Sequence, residues 1–412
     1  MNPARAIPLL LVEDNPMYAE ILQRLLPTLN PSLHFDVHWV DTAEKVIPEL
    51  HRRAYELMLL DYKLPGADGL EVLAQVRRLA PERQPAVIML TGMGNEAVAV
   101  EAMKAGAKDY LPKDQLDVPS LLRAITSALE RKDLEAQVRR YTEELRLKNE
   151  QMQADLRIAS EIQQALLPSE FPVIPPDTPP DQRAVQFVTR YQPTGLVGGD
   201  FFDVLPVGPR AVGVFLCDVM GHGVRAAFVT AILRALLDEY QHLAPHPDQL
   251  LVTINRRLLT LLRQTRMPMF ASAFYLVADL GSGTLRFANA GHPAPLHIQR
   301  RTDQLALLGA PTYKAGPALG VFEDSQYSSH QQPIQADDLI VLYTDGLYEV
   351  EGPNDELFGP DRLIQTFRQH RTRPANELFD HVLRTLQQFG GTDGFSDDVC
   401  LVGLEIRRLL PA

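Results

Sequence analysis

The chain has 412 residues, of which 45% are hydrophobic and 22% are charged, and its formal net charge is −12. This length predicts two or three folded domains, and the composition excludes a largely disordered chain. The acidic balance and the lack of a long run of Lys or Arg argue against nucleic-acid binding. The only cysteines are Cys217 and Cys400, which fits a reducing compartment and excludes a zinc-thiolate cluster.

The first apolar run of the chain, Ile7–Val12, is stopped by Glu13 and Asp14. It is too short for the core of a signal peptide or for the roughly 20 residues that span a bilayer. We therefore expect a cytoplasmic protein without a membrane segment.

The first third of the chain alternates short apolar runs with segments of helical periodicity, and this succession predicts a parallel α/β sheet. The predicted strands are Ile7–Val12, Phe35–Val40, Leu57–Leu60, Ala86–Leu90 and Asp109–Leu111. The predicted helices are Met17–Leu26, Gly69–Leu79 and Asn95–Ala105.

Polar residues follow these predicted strands at the edge of the sheet where ligands gather. Glu13 and Asp14 follow the first strand and Asp61 follows the third, while Thr91 and Lys113 follow the fourth and fifth. Three carboxylates at one edge repel one another unless a cation intervenes, and an all-oxygen set suits Mg²⁺. Asp61 would attack a phosphoryl group whose oxygens Lys113 and Thr91 neutralise. Taken singly, each acid could instead cap the following helix.

Four segments carry a family resemblance: LLVEDN, LLLDYKLPGADGLEVL, MLTGMG and DYLPKD. Together they resemble the receiver domain of two-component response regulators, with a flavodoxin-like five-stranded parallel sheet, over residues 5–128. The resemblance implies that a cognate histidine kinase phosphorylates Asp61. It also implies Mg²⁺ ligands Glu13, Asp14 and Asp61, and switch residues Thr91, Tyr110 and Lys113. Most members have Pro after the lysine, whereas Asp114 follows Lys113 here.

Residues 122–166 contain no Gly or Pro, and Glu130–Glu161 carries eight acidic and seven basic residues. This pattern predicts one long solvated helix. Its apolar residues recur every three or four positions, and Lys148 and Asp155 interrupt them, which favours an imperfect dimeric coiled coil. A single helix lying on a domain is the alternative. We assign the helical linker to residues 129–168, and the proline-rich segment after Pro168 predicts an irregular connection.

The remaining chain, residues 169–408, has strands on both sides of two consecutive helical segments, which favours an α+β domain. The predicted strands are Val185–Tyr191, Ala211–Cys217, Ala271–Asp279, Thr284–Ala290, Leu339–Thr344 and Val399–Ile406. The predicted helices are Val224–Tyr240 and Pro247–Gln264.

A second set of carboxylates lies at the ends of these strands, in GGDFFDV, CDVMGHG, YTDGLYEV and FSDDVC. The acids concerned are Asp200, Asp218, Asp345, Asp397 and Asp398. Carboxylates without nearby Cys point to Mn²⁺ or Mg²⁺ rather than zinc, and two such ions can activate water against a phosphate ester. Taken singly, Asp-Gly is an ordinary turn signal. His222 could be a ligand or a structural residue, and its role stays open.

In this order, and with IQQALLP at Ile162–Pro168 and FANAGHPAPL at Phe287–Leu296, the motifs closely resemble the SpoIIE-like branch of the metal-dependent (type 2C) serine/threonine protein phosphatases. The resemblance implies an α/β/β/α sandwich of mainly antiparallel sheets with two Mn²⁺ or Mg²⁺ ions. Asp218 would bridge both ions and Asp345 and Asp397 would complete one site, and these three would be the catalytic acids. Asp200 and the Val219 carbonyl would serve the other ion, and Asp398 would support the ligands without binding an ion.

These two resemblances predict a response regulator in which phosphorylated Asp61 controls a phosphoserine or phosphothreonine protein phosphatase. The implied substrate is a phosphorylated anti-sigma-factor antagonist of the STAS type, and the protein is expected to be a homodimer. A non-catalytic phosphatase-like adaptor switched by the receiver is the alternative, although an adaptor has no need of the full carboxylate set. No arginine that would clamp the substrate phosphate is evident.

Overall fold

The computed structural model describes residues 6–92, 96–263, 269–309, 314–353, 355–391 and 395–411. The chain folds into two compact units, Met1–Glu150 and Gln151–Ala412. No helix in these described ranges is long and apolar enough to cross a membrane.

The first unit is a five-stranded parallel sheet with helices on both faces, as the sequence predicted. Its elements are β1 (Ile7–Val12), α1 (Pro16–Leu25), β2 (Phe35–Val40), α2 (Val46–Arg52), β3 (Leu57–Asp61), β4 (Lys63–Leu64), β5 (Ala67–Asp68), α3 (Gly69–Val76), β6 (Ala86–Thr91), α4 (Glu96–Ala105), β7 (Asp109–Pro112) and the start of α5 (Val118–Leu166). The strand order is β2-β1-β3-β6-β7. Every residue of β3 and β6 is buried, because central parallel strands are covered on both faces.

Capping residues fix the places where the helices of this unit begin. The side chain of Asn15 accepts hydrogen bonds from the backbone amides of Met17 and Tyr18, and Pro16 occupies the first turn of α1. Asp68 caps α3 through the amide of Glu71. The turns that follow β1 and β3 are thereby held close to the polar edge of the sheet.

Helix α5 is continuous over 49 residues and begins at Val118, four positions before the predicted start. Near its beginning it is fastened to the first unit. The Nζ of Lys132 donates to the carbonyl oxygens of Tyr55 (3.4 Å) and Glu56 (3.2 Å), and Lys108 lies 2.6 Å from Glu135. Most of the apolar residues predicted to form a seam are exposed along the helix, as Val138 (63%) and Leu145 (67%) illustrate.

The second unit contains two antiparallel sheets between two pairs of helices, which confirms the predicted sandwich. Its elements are the end of α5, β8 (Val185–Gln192), β9 (Asp200–Gly208), β10 (Ala211–Val219), α6 (Val224–Glu239), α7 (Pro247–Arg263), β11 (Ala271–Asp279), β12 (Thr284–Ala290), β13 (Leu296–Gln299), β14 (Gln304–Leu307), β15 (His330–Pro333), β16 (Asp338–Tyr343), α8 (Pro360–His370), α9 (Ala375–Gly390) and β17 (Val399–Ile406). The sheets have the orders β15-β12-β11-β10-β9 and β14-β13-β16-β17-β8. Gln264 and Asn95, the predicted ends of two helices, lie outside the described residues.

Three apolar clusters hold these layers together. One cluster lies between the two sheets and includes Leu216, Phe274 and Leu342. A second joins the first sheet to α6 and α7, and a third joins the second sheet to α8 and α9. Alternate residues of each strand therefore face either the other sheet or the helices.

Candidate metal centres

The first carboxylate cluster lies at the carboxyl edge of the parallel sheet. Glu13 follows β1 and Asp61 ends β3, and both are buried, whereas Asp14 is exposed. One ligand oxygen from each of the three acids lies within 4.8 Å of the others. The structure thus brings together the three acids that the sequence placed at one edge, with the all-oxygen donor set that Mg²⁺ prefers.

Lys113 bridges the two buried acids. Its Nζ lies 2.8 Å from Glu13 Oε2 and 2.8 Å from Asp61 Oδ2, so Asp114 in place of the usual proline does not prevent the lysine from reaching the site. The indole of Trp39 donates to the Glu13 carbonyl oxygen at 2.8 Å, which holds that turn in place. Thr91 is buried at the end of β6, while Tyr110 on β7 is 41% exposed.

The charges of this cluster do not balance. Burial raises the pKa of Glu13 and of Asp61, and hydrogen bonds from Lys113 partly oppose that shift. Burial would lower the pKa of Lys113, but its bonds to Asp61 and Glu13 outweigh this effect and raise it. Three acids face one lysine, so a bound divalent cation would complete the neutralisation.

The second cluster begins with a row of side chains on three neighbouring strands. In the antiparallel ladders, Asp218 of β10 lies directly opposite Asp200 of β9 and also opposite Ser272 of β11. Directly opposed residues project from the same face of a sheet, and here that face looks toward the second sheet. Asp218 and Ser272 are partly open to solvent within strands whose central residues are otherwise buried.

The second sheet supplies the remaining acids through the ends of β16 and β17. Asp345 begins a short 3₁₀ turn after β16, and Asp397 and Asp398 precede β17. The Thr344 hydroxyl joins Asp200 of the first sheet to the backbone of the second sheet: its Oγ1 donates to Asp200 Oδ2 at 2.7 Å and accepts from the Cys400 amide at 2.9 Å.

The carboxylate of Asp398 is occupied by the backbone. Its Oδ1 accepts from the Thr194 amide at 2.7 Å and its Oδ2 accepts from the Gly199 amide at 2.5 Å. Both oxygens therefore hold the loop that precedes β9. The acid positions Asp200 through this loop.

Glycines allow backbone segments to approach closely in this cluster. A Cβ on Gly199 would lie 2.6 Å from the Val219 carbonyl oxygen, and one on Gly346 would overlap the Asp398 carbonyl oxygen and lie 3.0 Å from its carbon. The Gly-Asp and Asp-Gly pairs of the sequence thus serve close packing of the loops that carry the acids.

The acids of the second cluster strongly repel one another. Burial and the neighbouring charges of Asp345 and Asp397 raise the pKa of Asp218 to about 7. Burial and Asp218 raise the pKa of Asp200 well above its usual value, and burial and Asp397 raise that of Asp345. Among the described residues no Lys or Arg forms an ion pair with these aspartates, so a cation-binding role fits the donor set.

The spacing of the second cluster differs from that of the first. In the described part of the chain, only Glu13, Asp14 and Asp61 bring three ligand atoms within 4.8 Å of one another. The second set is more widely spread, which is compatible with ligands shared between two ions rather than gathered around one.

Sequence reasoning missed several polar residues that hold this cluster. Besides Thr344, these include Gln163 near the end of α5, whose amide donates to the Gly198 carbonyl (2.7 Å) and accepts from the Gly198 amide (3.0 Å). They also include His292, which is 4% exposed. This histidine lies in FANAGHPAPL, a motif that supported the family resemblance but was given no role in the site. His222, whose role was left open, is exposed before α6.

The raised pKa of Asp218 predicts a pH-dependent gain in stability for Asp218→Asn in metal-free protein. The folded pKa is about 7, whereas an unfolded aspartate titrates near 3.9. Between these values the folded state binds the proton more tightly, so this acid stabilises the fold at low pH and loses that contribution as pH rises. In EDTA, Asp218→Asn should therefore melt above wild type, with a larger gain at pH 7.5 than at pH 5.

Differential scanning calorimetry of both proteins at the two pH values tests this expectation. Comparison with wild type cancels the titrating groups that do not interact with Asp218, including buried His292, whose lowered pKa of about 3 has the opposite pH dependence. Loss of the Asp218 charge also relieves the upward shift of the Asp200 pKa, which adds to the expected gain at the higher pH. A gain that is equal at both pH values, or larger at pH 5, would contradict the assignment of the shift to Asp218.

Comparison with known proteins adds family matches for both units. Residues 9–126 match the response regulator receiver domain, and residues 208–407 match stage II sporulation protein E (SpoIIE). Two relatives from Bacillus subtilis (strain 168) are named phosphoserine phosphatases. RsbP is 25% identical over 54% of this chain and 53% of its own length, and RsbU is 24% identical over 60% of this chain and 70% of its own.

A solved structure supports the fold of the second unit. The SiaA-PP2C domain of Pseudomonas aeruginosa aligns with a TM-score of 0.50 and 22% identity. The alignment covers 63% of this chain and 98% of that domain. At this identity the likeness establishes the fold alone, and the match to RsbP spans only about half of that relative.

Proposed function

Because the chain carries a response regulator receiver domain and a SpoIIE-family domain, we propose that it is a phosphorylation-controlled, metal-dependent phosphoserine/phosphothreonine protein phosphatase. The observation that carries this proposal is the cluster of mutually repelling, buried or partly buried aspartates at the ends of the two sheets. A non-catalytic adaptor would not need these aspartates, whose mutual repulsion destabilises the fold when no cation is bound. The relatives RsbP and RsbU, which are both named phosphoserine phosphatases, support hydrolysis of a phosphate ester as the reaction.

In this proposal the acids hold two Mn²⁺ or Mg²⁺ ions, which would supply an activated water and neutralise the phosphate oxygens. Asp218 would serve both ions. Asp345 and Asp397 would complete one site, and Asp200 with the Val219 carbonyl would complete the other. The position of Asp218 opposite Asp200 and the closeness of Gly199 to the Val219 oxygen support this division.

The first unit is proposed to receive a phosphoryl group on Asp61 from a cognate histidine kinase. Glu13, Asp14 and Asp61, whose ligand oxygens lie within 4.8 Å of one another, would hold Mg²⁺. Lys113, whose Nζ lies 2.8 Å from Asp61, neutralises the phosphoryl oxygens, and Thr91 with Tyr110 reports the change.

We assign the receiver to residues 5–128, the linker to 129–168 and the phosphatase to 169–408. The exposed apolar residues of α5 support a homodimer in which this helix forms a coiled coil. The proposed substrate is a phosphorylated STAS-type anti-sigma-factor antagonist, and the proposed compartment is the cytoplasm.

The test is a phosphatase assay of the full chain on candidate phospho-STAS proteins and phosphoserine peptides. We expect turnover with Mn²⁺ or Mg²⁺, none in EDTA, and no requirement for Zn²⁺. Asp61→Asn should keep basal turnover but lose the response to a small phosphodonor such as acetyl phosphate. Failure of every substrate with either ion would refute the proposed activity, and activity supported by Zn²⁺ alone would refute the ion assignment.

A four-residue insertion near Asn149 should abolish the response to phosphodonor. Lys148 and Asp155 interrupt the apolar seam of α5, so two packings of the dimeric helix can have similar energies, and phosphorylation would favour one of them. Four extra residues shift the seam while keeping the helix. The measurement is the ratio of phosphatase rates with and without acetyl phosphate.

A seven-residue insertion at the same place is the matched control, because it preserves the heptad register and should retain most of the response. If the four-residue insertion leaves the ratio unchanged, α5 is a passive tether.

A further inference from the structure

A serine and a buried histidine extend the carboxylate row of the second unit. Ser272 lies directly opposite Asp218 in the β10–β11 ladder, so the two side chains project from the same face. Its Oγ is 2.7 Å from His292 Nδ1. Among the described residues, this imidazole is the only hydrogen-bond partner of the Ser272 hydroxyl.

The second ring nitrogen of His292 fixes the direction of that bond. His292 Nε2 is 3.2 Å from the Tyr343 carbonyl oxygen, which can only accept, so Nε2 carries a proton. Burial lowers the pKa of His292, and the imidazole is therefore neutral. Nδ1 is then an acceptor, and Ser272 must donate its only hydroxyl proton to it.

Because its proton is used in the bond to His292, the Ser272 oxygen can act only as a hydrogen-bond acceptor toward the site. The ionised carboxylates around Ser272 can only accept hydrogen bonds, so they cannot donate to its oxygen. A water molecule can donate to it. The backbone around His292 is also held, because its amide donates to Asn289 Oδ1 at 2.7 Å and the Asn289 amide group donates to its carbonyl at 2.8 Å. The direction of the Ser272 hydroxyl is thus set from both sheets.

We propose that Ser272 is a catalytic residue whose oxygen accepts a hydrogen bond from the attacking water beside Asp218, and that His292 is the positioning residue that keeps this oxygen an acceptor. The inference rests on the proposed phosphatase function. As the water oxygen bonds to phosphorus, the bond from phosphorus to the serine or threonine oxygen breaks. One water proton ends on that leaving oxygen, and the other, held by Ser272, stays with the phosphate product.

A second buried histidine shows what a purely structural pair looks like in the same unit. His297 is also 4% exposed, and its ring nitrogens bind Asp338 Oδ2 and Gln332 Nε2, both at 2.8 Å. Asp338 is buried and Gln332 is partly buried, and neither of them belongs to the carboxylate row. Ser272, in contrast, is partly open to solvent next to Asp218.

The experiment measures kcat and KM of the full chain with Mn²⁺ on a phosphoserine peptide, together with Mn²⁺ affinity by calorimetry and the melting temperature. Ser272→Ala should lower kcat by about 10- to 100-fold with little change in KM, because a misoriented water reacts slowly. Mn²⁺ affinity and melting temperature should stay near wild type. Ser272→Thr keeps the hydroxyl and should restore most of kcat.

The role of His292 is tested by His292→Phe, which keeps an aromatic ring but removes both ring nitrogens. The double variant Ser272→Ala/His292→Phe should lower kcat by less than the product of the two single losses, because the two residues act as one unit. The matched control is His297→Gln, which should lower the melting temperature while kcat stays close to wild type. Histidine ¹⁵N NMR of the wild type at pH 6 to 8 should show His292 protonated at Nε2 only.

Three outcomes would overturn the inference. In the first, Ser272→Ala keeps wild-type kcat, or Ser272→Thr fails to restore it. In the second, His292 carries its proton at Nδ1. The third is absence of turnover in the wild type itself, which refutes the proposed function and this inference together, whereas the first two refute the inference alone.

Discussion

Asp218→Asn is expected to abolish phosphatase activity while the protein stays folded, with a loss in kcat of at least about 1,000-fold. Asp218 stands at the centre of the carboxylate row, opposite Asp200 on one side and Ser272 on the other. An amide keeps the size of the side chain but removes the charge that would be shared between two ions. The removal of like-charge repulsion should also make the variant the more stable protein in EDTA.

The measurement is single-turnover hydrolysis of a phosphoserine peptide with Mn²⁺, alongside circular dichroism. Asp203→Asn is the matched control: this buried acid lies on β9 but forms an ion pair with Arg234 at 2.8 Å. Its replacement should reduce stability and leave kcat within about threefold of wild type. Turnover by Asp218→Asn close to that of wild type would show that the bridging role is wrong.

Gly346→Ala should disrupt the same site through sterics rather than charge. The new Cβ would overlap the Asp398 carbonyl oxygen and lie 3.3 Å from the Asp397 carbonyl carbon, so backbone has to move. Overpacking of this kind costs about 1 to 3 kcal/mol, and displacement of Asp345 and Asp397 should lower kcat by about 100-fold or more. Urea unfolding and peptide hydrolysis measure the two effects separately.

Gly403→Ala controls for the loss of stability. Its Cβ would meet the Phe379 ring at 2.8 Å, in the cluster between the second sheet and its helices. The variant should be destabilised to a similar degree, yet its folded fraction should retain wild-type kcat. Equal losses of kcat in the two glycine variants would mean that Gly346 acts only through global stability.

The sequence was sufficient for the parallel sheet because its strands are continuous apolar runs. Leu57–Asp61 and Ala86–Thr91 are buried at every residue, and the predicted ranges differ from them by one residue at one end. The second unit was harder. Asp200–Gly208 was seen as a metal motif and not as a strand, because two aspartates interrupt its apolar run.

Helices α8 and α9 were also missed, although their signal was present. Leu363 and Phe367, and likewise Leu378, Val382 and Leu386, recur at helical spacing and are buried against the second sheet. Short strands such as Leu296–Gln299 lack such a period, since four residues with mixed polarity are consistent with many structures.

The acids could be found from sequence because carboxylates at strand ends beside glycine are unusual. Their supports could not, since each joins segments far apart in the chain. Thr344 meets Asp200 across 144 residues, and Gln163 meets Gly198 across 35. The sequence around a threonine or a glutamine does not indicate such a contact, because only the tertiary fold brings these side chains to their partners.

The bonds between Gln163 and Gly198 determine where the second unit can be separated from the rest of the chain. Gly198 directly precedes Gly199 and Asp200, and the Gln163 side chain satisfies both its amide and its carbonyl group. A fragment starting at Val185 would leave both groups without this partner, at a cost of about 1 to 3 kcal/mol for each that stays buried. The last turns of α5 thus belong to the second folded unit, and a fragment made to test the proposed phosphatase activity should begin before Gln163, within the compact unit that starts at Gln151.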